Sequence, residues 1–395
     1  MVTYPRITLK PGKEEALKRF HPWIFSGALA GSSGRVEEGE IVEVFSHDSK
    51  YLATGYAIAG SIAVKLISFV QTEINEEFWL GKIQNAFQLR QRLGLTGNPS
   101  TNAYRLVFGE ADQIPGLIVD FLNGLCVIQC HTVGMYLLRE SIAKALQRVF
   151  GGEIKSIFCK SAETLSRLAN FESVDGFLFG DFLPDEICEN DIKYSVDIFE
   201  GQKTGFFLDQ RENRALLGHY AKGKKVADLF CYSGGFALNA LKSGATLVHT
   251  VDSSKKAIAL TEKNMVLNEF NDERHQSFAS DAQSFLDHMT EEYDIIVLDP
   301  PAFAKQQSQR SQALKGYRNI NYQALKNIRS GGLLFTFSCS QAVDKQSFQS
   351  AVMAAAIQAK RPVMILHYLS QPPDHAVNFF HPEGEYLKGL VLYVE

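Results

Sequence analysis

The sequence predicts an α/β protein in three parts. Residues 1–72 form a β-barrel-like module, 73–189 a small α+β domain, and 190–395 a doubly wound, Rossmann-like sheet with an antiparallel last strand. Three observations predict this. Late in the chain a strand, a helix and a strand-end carboxylate recur four times, at Asp228, Asp252, Asp281 and Asp299, and strands alternating with helices read as parallel βαβ units. Residues 1–72 hold short alternating runs broken by glycine, such as GEIVEVFS (39–46) and YLATGYAIA (51–59), a period of two that fits half-buried strands. Between these parts Asn123-Gly124 separates two apolar runs, the strongest short-range hairpin signal.

The elements follow in order. EEFWLGKIQNAFQLRQRLGL (76–95) reads as a connecting amphipathic helix, and 94–100 as a loop. The hairpin comes next, then a helix over about 134–149 and a further strand–helix unit. KKVADLFCYSGGFALNALKSGA (224–245) reads as an apolar strand, a tight turn at Gly234-Gly235 and a helix of Ala and Leu. LVHTVD (247–252) is a second strand, and Ser253 or Ser254 caps a helix to about Asn268. A third strand ends near Ser280-Asp281, a fourth is IIVLDPPAF (295–303), and a fifth is GGLLFTFSCS (331–340). RPVMILHYL (361–369) and GLVLYVE (389–395) form the closing antiparallel pair.

In an open α/β sheet, ligands bind outside the carboxyl ends of the strands. Glycine at 234 and 235 lets the backbone approach a ligand closely. Asp252 stands close to the ~20-residue offset at which an acidic residue accepts ribose hydroxyls, and Asp281 is placed to take an adenine amino group. A nicotinamide dehydrogenase builds the same half-fold, but Phe230 to Phe236 lacks the G-x-G-x-x-G spacing that wraps a pyrophosphate. A cofactor without phosphates, S-adenosylmethionine, fits better. Asp299-Pro300-Pro301 ends one strand and Cys339 the next. Carboxylate, flat shelf and thiol together suggest chemistry on a planar base through a cysteine adduct. Cys231, before the glycine turn, is the other cysteine at a strand end and reads as a packing or cofactor-side residue.

Net charge is only −4, which argues against indiscriminate nucleic-acid binding, but two stretches are basic. Residues 1–35 include Lys18 and Arg19, and residues 301–332 carry Lys305, Arg310, Lys315, Arg318, Lys326 and Arg329 with no acid, interleaved with Tyr317 and Tyr322. Lys305, Lys315 and Arg318 are assigned to phosphates and Tyr317 to an unpaired base; a solvated helix face is the plain alternative. The six cysteines show no C-x-x-C pair and the ten histidines no ligand spacing, so neither zinc nor another metal is expected. With no apolar leader and no membrane-length run, a soluble cytoplasmic protein is expected.

Several of these motifs together resemble a known family. Asp228-Leu229-Phe230 with the Gly234-Gly235 turn, Asp252, Asp281, Asp299-Pro300-Pro301-Ala302-Phe303, Ser338-Cys339-Ser340 and TGFFLDQR (204–211) are similar to the cytosine-5 methyltransferases of large-subunit ribosomal RNA. HPWIFSGAL (21–29) resembles their amino-terminal PUA-type RNA-binding domain. The resemblance implies a class I methyltransferase sheet, S-adenosylmethionine as cofactor and ribosomal RNA as partner. It implies Cys339 and Asp299 as catalytic residues, and Asp228, Phe230, Tyr232, Ser233, Gly234, Gly235, Asp252, Asp281 and Asp299 at the cofactor. Gln210 and Arg211 are assigned to its methionine end, with a salt partner or a helix start as the plain alternative. Other RNA cytosine-5 methyltransferases often carry a second cysteine after the motif proline; here Ala302 follows Pro301. A guanine methyltransferase of the same fold and a non-catalytic RNA-binding module stay open as alternatives, as does a homodimer.

Overall fold

The computed structural model describes residues 4–169, 171–270, 272–289 and 291–395. The chain divides into two compact units, 1–187 with 197–205 and 373–384, and 188–196 with 206–372 and 385–395.

The first unit begins with strands β1 (Arg6–Leu9), β2 (Trp23–Phe25), β3 (Leu29–Ser32), β4 (Ile41–Phe45), β5 (Tyr51–Ala57) and β6 (Ile62–Ser68), with a one-turn helix α1 (Glu15–Lys18). They form one six-stranded sheet in the order β2-β6-β5-β4-β1-β3, closed over Ile7, Leu9, Val42, Val44 and Val64. A second sheet follows, in the order β11-β10-β9-β8-β7. Its strands are β7 (Ala103–Phe108), β8 (Leu117–Leu122), β9 (Leu125–Cys130), β10 (Ser156–Cys159) and β11 (Gly176–Phe179). Asn123 (φ 47°) and Gly124 (φ 95°) are both left-handed, as the two-residue turn between antiparallel β8 and β9 requires. Helices α2 (Glu76–Arg92), α3 (Val133–Leu137), α4 (Arg139–Phe150) and α5 (Ala162–Ala169) accompany this sheet. Trp79, Ile83, Leu106, Ile128 and Leu146 share its core.

This unit reaches further along the chain than periodicity indicated. Arg105 forms a two-pronged pair with Asp120 at 2.8 and 2.9 Å, and Arg90 a second with Asp112. Asp374 accepts the backbone N–H of Arg105 at 3.0 Å, its carbonyl accepts from Arg90 at 2.8 Å, and Thr204 donates to Asp120 at 2.6 Å. Buried charges need every lone pair and proton matched, and segments 197–205 and 373–384 supply the matches. The expected single domain over 190–395 is corrected accordingly. Pairing of this kind leaves no local signal in sequence.

The second unit opens with a ribbon of β12 (Ile187–Glu189) and β13 (Ile192–Tyr194). Its main sheet holds β14 (Lys225–Leu229), β15 (Leu247–Asp252), β16 (His275–Ala279), β17 (Ile295–Leu298), β18 (Gly332–Ser338), β19 (Val363–Leu369) and β20 (Lys388–Val394), in the order β16-β15-β14-β17-β18-β20-β19. The first five are parallel and β20 is antiparallel to both neighbours. β14 and β17 are buried throughout or nearly so, as strands covered on both faces must be. Helices are α6 (Arg211–Ala221), α7 (Gly235–Lys242), α8 (Lys255–Leu267), α9 (Ala282–Asp287), α10 (Arg310–Asn327) and α11 (Lys345–Ala359). Ser254 is the residue that caps α8, accepting from the Ala257 N–H. Strand order reverses between β14 and β17, so the crevice belongs at their carboxyl ends.

Candidate functional site

The turn after β14 is strained and heavily braced. Phe230 (φ 63°) and Tyr232 (φ 48°) hold left-handed conformations ahead of Gly234 (φ 75°). Such backbone costs about 1–3 kcal/mol per bulky residue and persists only where surroundings impose it. Here Thr261 donates to the Tyr232 carbonyl at 3.1 Å and Asn264 to the Ser233 carbonyl at 3.0 Å, both from α8. Asp252, ending β15, accepts the Tyr232 N–H at 3.2 Å and the Ser254 N–H at 2.8 Å. Each of its oxygens keeps a lone pair for a ligand hydroxyl. A Cβ on Gly234 would stand 2.8 Å from Thr261, and one on Gly235 2.7 Å from Arg214, so close packing forbids side chains at both. Arg214 is itself held by Glu189 through two 2.7 Å bonds.

Asp228 requires correction. It is 1 % exposed and accepts the Ala237 N–H at 3.1 Å, anchoring the start of α7 from beneath the turn. Its other oxygen is buried with no hydrogen-bond partner among the described residues. Burial, with Asp299 and Asp252 adding to it, pushes the carboxyl up to about 8. Asp228 therefore shapes the turn from below rather than presenting a carboxylate to a ligand. Asp281 caps α9, accepting the Gln283 and Ser284 N–H groups on one oxygen at 2.9 and 3.0 Å; its second oxygen is left for a ligand.

Gln210 stands at the shelf. Its amide donates to Asp299 at 3.0 Å, while its carbonyl accepts from Asn213 at 2.6 Å. The pair fixes which way the Asp299 carboxylate turns. Arg211 is buried at the start of α6, where its guanidinium meets Glu212 at 3.3 Å.

The structure brings the thiol to the shelf. Cys339, partly exposed after β18, lies with Sγ 3.9 Å from the Pro300 carbonyl. Ser340 next to it accepts the Ala304 N–H at 3.2 Å and meets the Tyr317 hydroxyl at 2.8 Å, tying the shelf to α10. Cys231, by contrast, is buried against Thr261, and burial drives its thiol well above the ordinary range. That burial disfavours its thiolate.

Lys388 is a residue that sequence reasoning missed. It pairs in register with Ser338, is 4 % exposed, and its ammonium donates to the Ser340 carbonyl at 2.7 Å. Burial lowers its pKa, and the neighbouring charge of Cys339 opposes that fall. A buried cation beside the thiol favours the thiolate. The only sequence signal was a lysine at the head of an apolar strand.

The basic stretch is smaller than its composition suggested. Tyr317 is 0 % exposed, its ring 4.7 Å from Phe303, so it is a core residue and not a base-stacking one. Arg310 pairs with Asp344 at 2.6 Å and Arg329 with Asp294 at 3.2 Å. Lys305, Lys315 and Arg318 are exposed. In the other unit Arg19 is exposed and Lys18 pairs with Glu15 at 2.6 Å. Among the described residues no cluster of His, Cys, Asp or Glu could hold a metal ion, and no helix is long and apolar enough to cross a membrane.

Residues 7–69 match the model of a PUA-like domain family, and 166–376 match that of S-adenosylmethionine-dependent methyltransferases. Ribosomal RNA large subunit methyltransferase I of Shewanella denitrificans is 37 % identical across 98 % of this chain and 99 % of its own. The protein of that name from Pseudoalteromonas atlantica is 37 % identical over the same shares. Among solved structures, a protein proposed to be a methyltransferase and complexed with SAH is 25 % identical with a TM-score of 0.85, covering 98 % of this chain and 100 % of that one. A chain from Streptococcus mutans, proposed to be a SAM-dependent methyltransferase, shares the fold at a TM-score of 0.83, 24 % identity and the same coverage.

Proposed function

We propose, from the premise that the chain belongs to the S-adenosylmethionine-dependent methyltransferases with ribosomal RNA large subunit methyltransferase I among its relatives, that it methylates carbon 5 of a cytosine in large-subunit ribosomal RNA through a covalent adduct of Cys339. The observation that carries the reading is the Cys339 thiol beside the Asp299-Pro300 shelf, 3.9 Å from the Pro300 carbonyl.

The crevice suits the cofactor by the chemistry of its donors. Residues 230–236 contain no Lys or Arg, while Asp252, Asp281 and Asp299 follow the strands around them. Carboxylates match ribose hydroxyls and a cationic sulfonium, and they mismatch a pyrophosphate. Asp252 and the turn at 230–235 would hold the cofactor. When bound, it supplies an electrophilic methyl group.

The chain's own residues do the rest. Carbon 5 of cytosine is a poor nucleophile until a thiolate adds at carbon 6 and gives it enamine character. Lys388 places a buried cation near Cys339 that favours the thiolate form, and Ser340, fixed on three sides, sets where the thiol stands. Asp299, oriented by Gln210, hydrogen-bonds the amino or ring-nitrogen edge of the base and stabilises the adduct. After methylation a water in the crevice or the Asp299 carboxylate takes the carbon-5 proton, the electron pair re-forms the 5,6 double bond, the C–S bond breaks and the thiolate returns. A guanine methyltransferase would need no thiol here. Ribosomal RNA as substrate sets the compartment as the cytoplasm.

RNA carrying 5-fluorocytosine at the target tests this, because fluorine at carbon 5 blocks elimination. Wild type should form a denaturant-resistant adduct and Cys339→Ala none, with cofactor and RNA affinities unchanged. Cys231→Ala should keep substantial activity. If Cys339→Ala still methylates ribosomal RNA, the cytosine-5 reading fails.

A further inference from the structure

Four exposed aromatic residues of the first unit stand together. Phe379 is 91 % exposed, Phe20 52 %, Phe25 49 % and Phe380 45 %. Phe20 and Phe380 have ring centroids 5.3 Å apart at 52°, and Phe379 and Phe380 5.8 Å apart at 85°. His21 bridges the group, 6.1 Å from Phe25 and 5.8 Å from His381. Two stretches more than 350 residues apart in sequence, 20–25 and 379–381, thus build one surface.

Phe20 meets Phe69 edge-on at 5.4 Å, but that contact leaves its outer half uncovered, and chain comfort does not account for its place. Phe20 has a φ of 58°, a conformation that bulky residues avoid, yet half its surface faces water. The loop is pinned beneath the rings: Asn378 donates to the Glu110 carbonyl at 2.9 Å and accepts the Phe380 N–H at 2.9 Å. Trp23 packs on His381 at 4.2 Å and donates to Glu110 at 2.8 Å, and Lys65 pairs with the same carboxylate at 2.7 Å. A rigid base therefore displays the phenyl rings. Tilted at 52° and 85°, they do not cover one another's faces.

We propose that this surface binds unpaired bases of RNA, with phosphates at the neighbouring cations. Charge decides the occupant. Lys10, Lys13, Lys18 and Arg19 lead directly into Phe20, against Glu14 and Glu15. Glu110 is neutralised by Lys65, leaving Glu383, 3.7 Å from His381, as the acid at the ring cluster. Aromatic rings beside cations that track a backbone make a single-strand platform that tolerates any base, whereas an apolar protein knob calls for no cations. The inference rests on the RNA-substrate reading and adds the 377–381 loop to the RNA-contacting surface.

The test uses the full chain, a labelled single-stranded oligoribonucleotide, its duplex and fluorescence anisotropy. Phe20→Ala with Phe379→Ala should weaken single-strand binding about tenfold, leave duplex binding within about twofold, and leave the salt slope unchanged because no charge is lost. Phe379→Trp alone should bind at least as well as wild type. Unchanged single-strand affinity overturns the proposal, as does an equal loss on the duplex or a loss in the tryptophan variant. If instead binding to a protein-containing precursor particle falls while naked RNA binding does not, the surface docks protein and the proposal is overturned. Wild type that methylates ribosomal RNA while the double variant binds RNA normally overturns the surface alone. Wild type that fails to methylate ribosomal RNA overturns the underlying reading.

Discussion

Replacing Asp228 by asparagine should remove a pH-dependent load on the second unit. The carboxyl is buried and raised to about 8 from an ordinary 3.8, first by burial and then by Asp299 and Asp252. A carboxyl whose folded pKa is raised keeps its proton where the unfolded chain has released it. Its contribution is therefore fully present below about 3.8 and is lost as pH rises toward 8. Each unit of pH within that window is worth about 1.4 kcal/mol. From pH 6 to pH 8 the folded group begins to ionise only at the end, so this site alone removes about 2 kcal/mol. Asparagine keeps an acceptor for the Ala237 N–H and carries no proton to lose. The cost of an amide left unpaired at the second position does not vary with pH and cancels from the comparison. Both tryptophans, Trp23 and Trp79, lie in the other unit. Urea unfolding should therefore be followed by far-ultraviolet circular dichroism rather than by tryptophan emission. The stability of Asp228→Asn relative to wild type should rise by about 2 kcal/mol between pH 6 and pH 8. A difference that stays constant across that range would refute the assignment of a buried, protonated Asp228.

Asp252→Ala should weaken S-adenosylmethionine binding by about 1.5–3 kcal/mol, the usual size of charge-assisted hydrogen bonds, and loosen the turn it holds at Tyr232; calorimetry showing equal affinity sinks that role. Lys388→Met should move the acidic limb of the pH–rate profile to higher pH, because the thiolate loses its neighbouring cation, while cofactor affinity holds. An unmoved limb would leave Lys388 with a packing role only. Lys315→Ala with Arg318→Ala should flatten the salt dependence of RNA binding by about one counterion per lost contact, and an unchanged slope returns that helix face to solvent.

Local chemistry determined much of this protein from sequence alone. Asn123-Gly124 set a hairpin because only left-handed residues make that turn. The β14, β17 and β18 runs were legible because buried parallel strands are nearly continuously apolar, and Asp252, Asp281 and Asp299 could be placed at or just past the carboxyl ends of β15, β16 and β17 because a strand's end is a matter of counting. Cys339 and the Asp299 shelf were found the same way. Tyr317 could have been placed in the core as well: Ala313, Tyr317, Ile320 and Ala324 are all buried at helical spacing, and the basic residues between them concealed the stripe. What tertiary structure alone decided is who pairs with whom across distance. Gln210 turns to Asp299, Lys388 reaches Ser340 across two antiparallel strands, and Asp374 joins Arg105 from 269 residues away. The buried Thr261 and Asn264 that brace the turn from α8 belong to the same class. Periodicity and turn preference act over a few residues and leave a mark in sequence. A buried polar group takes whichever partner the packed fold brings within 3 Å, and sequence spacing carries no record of that choice.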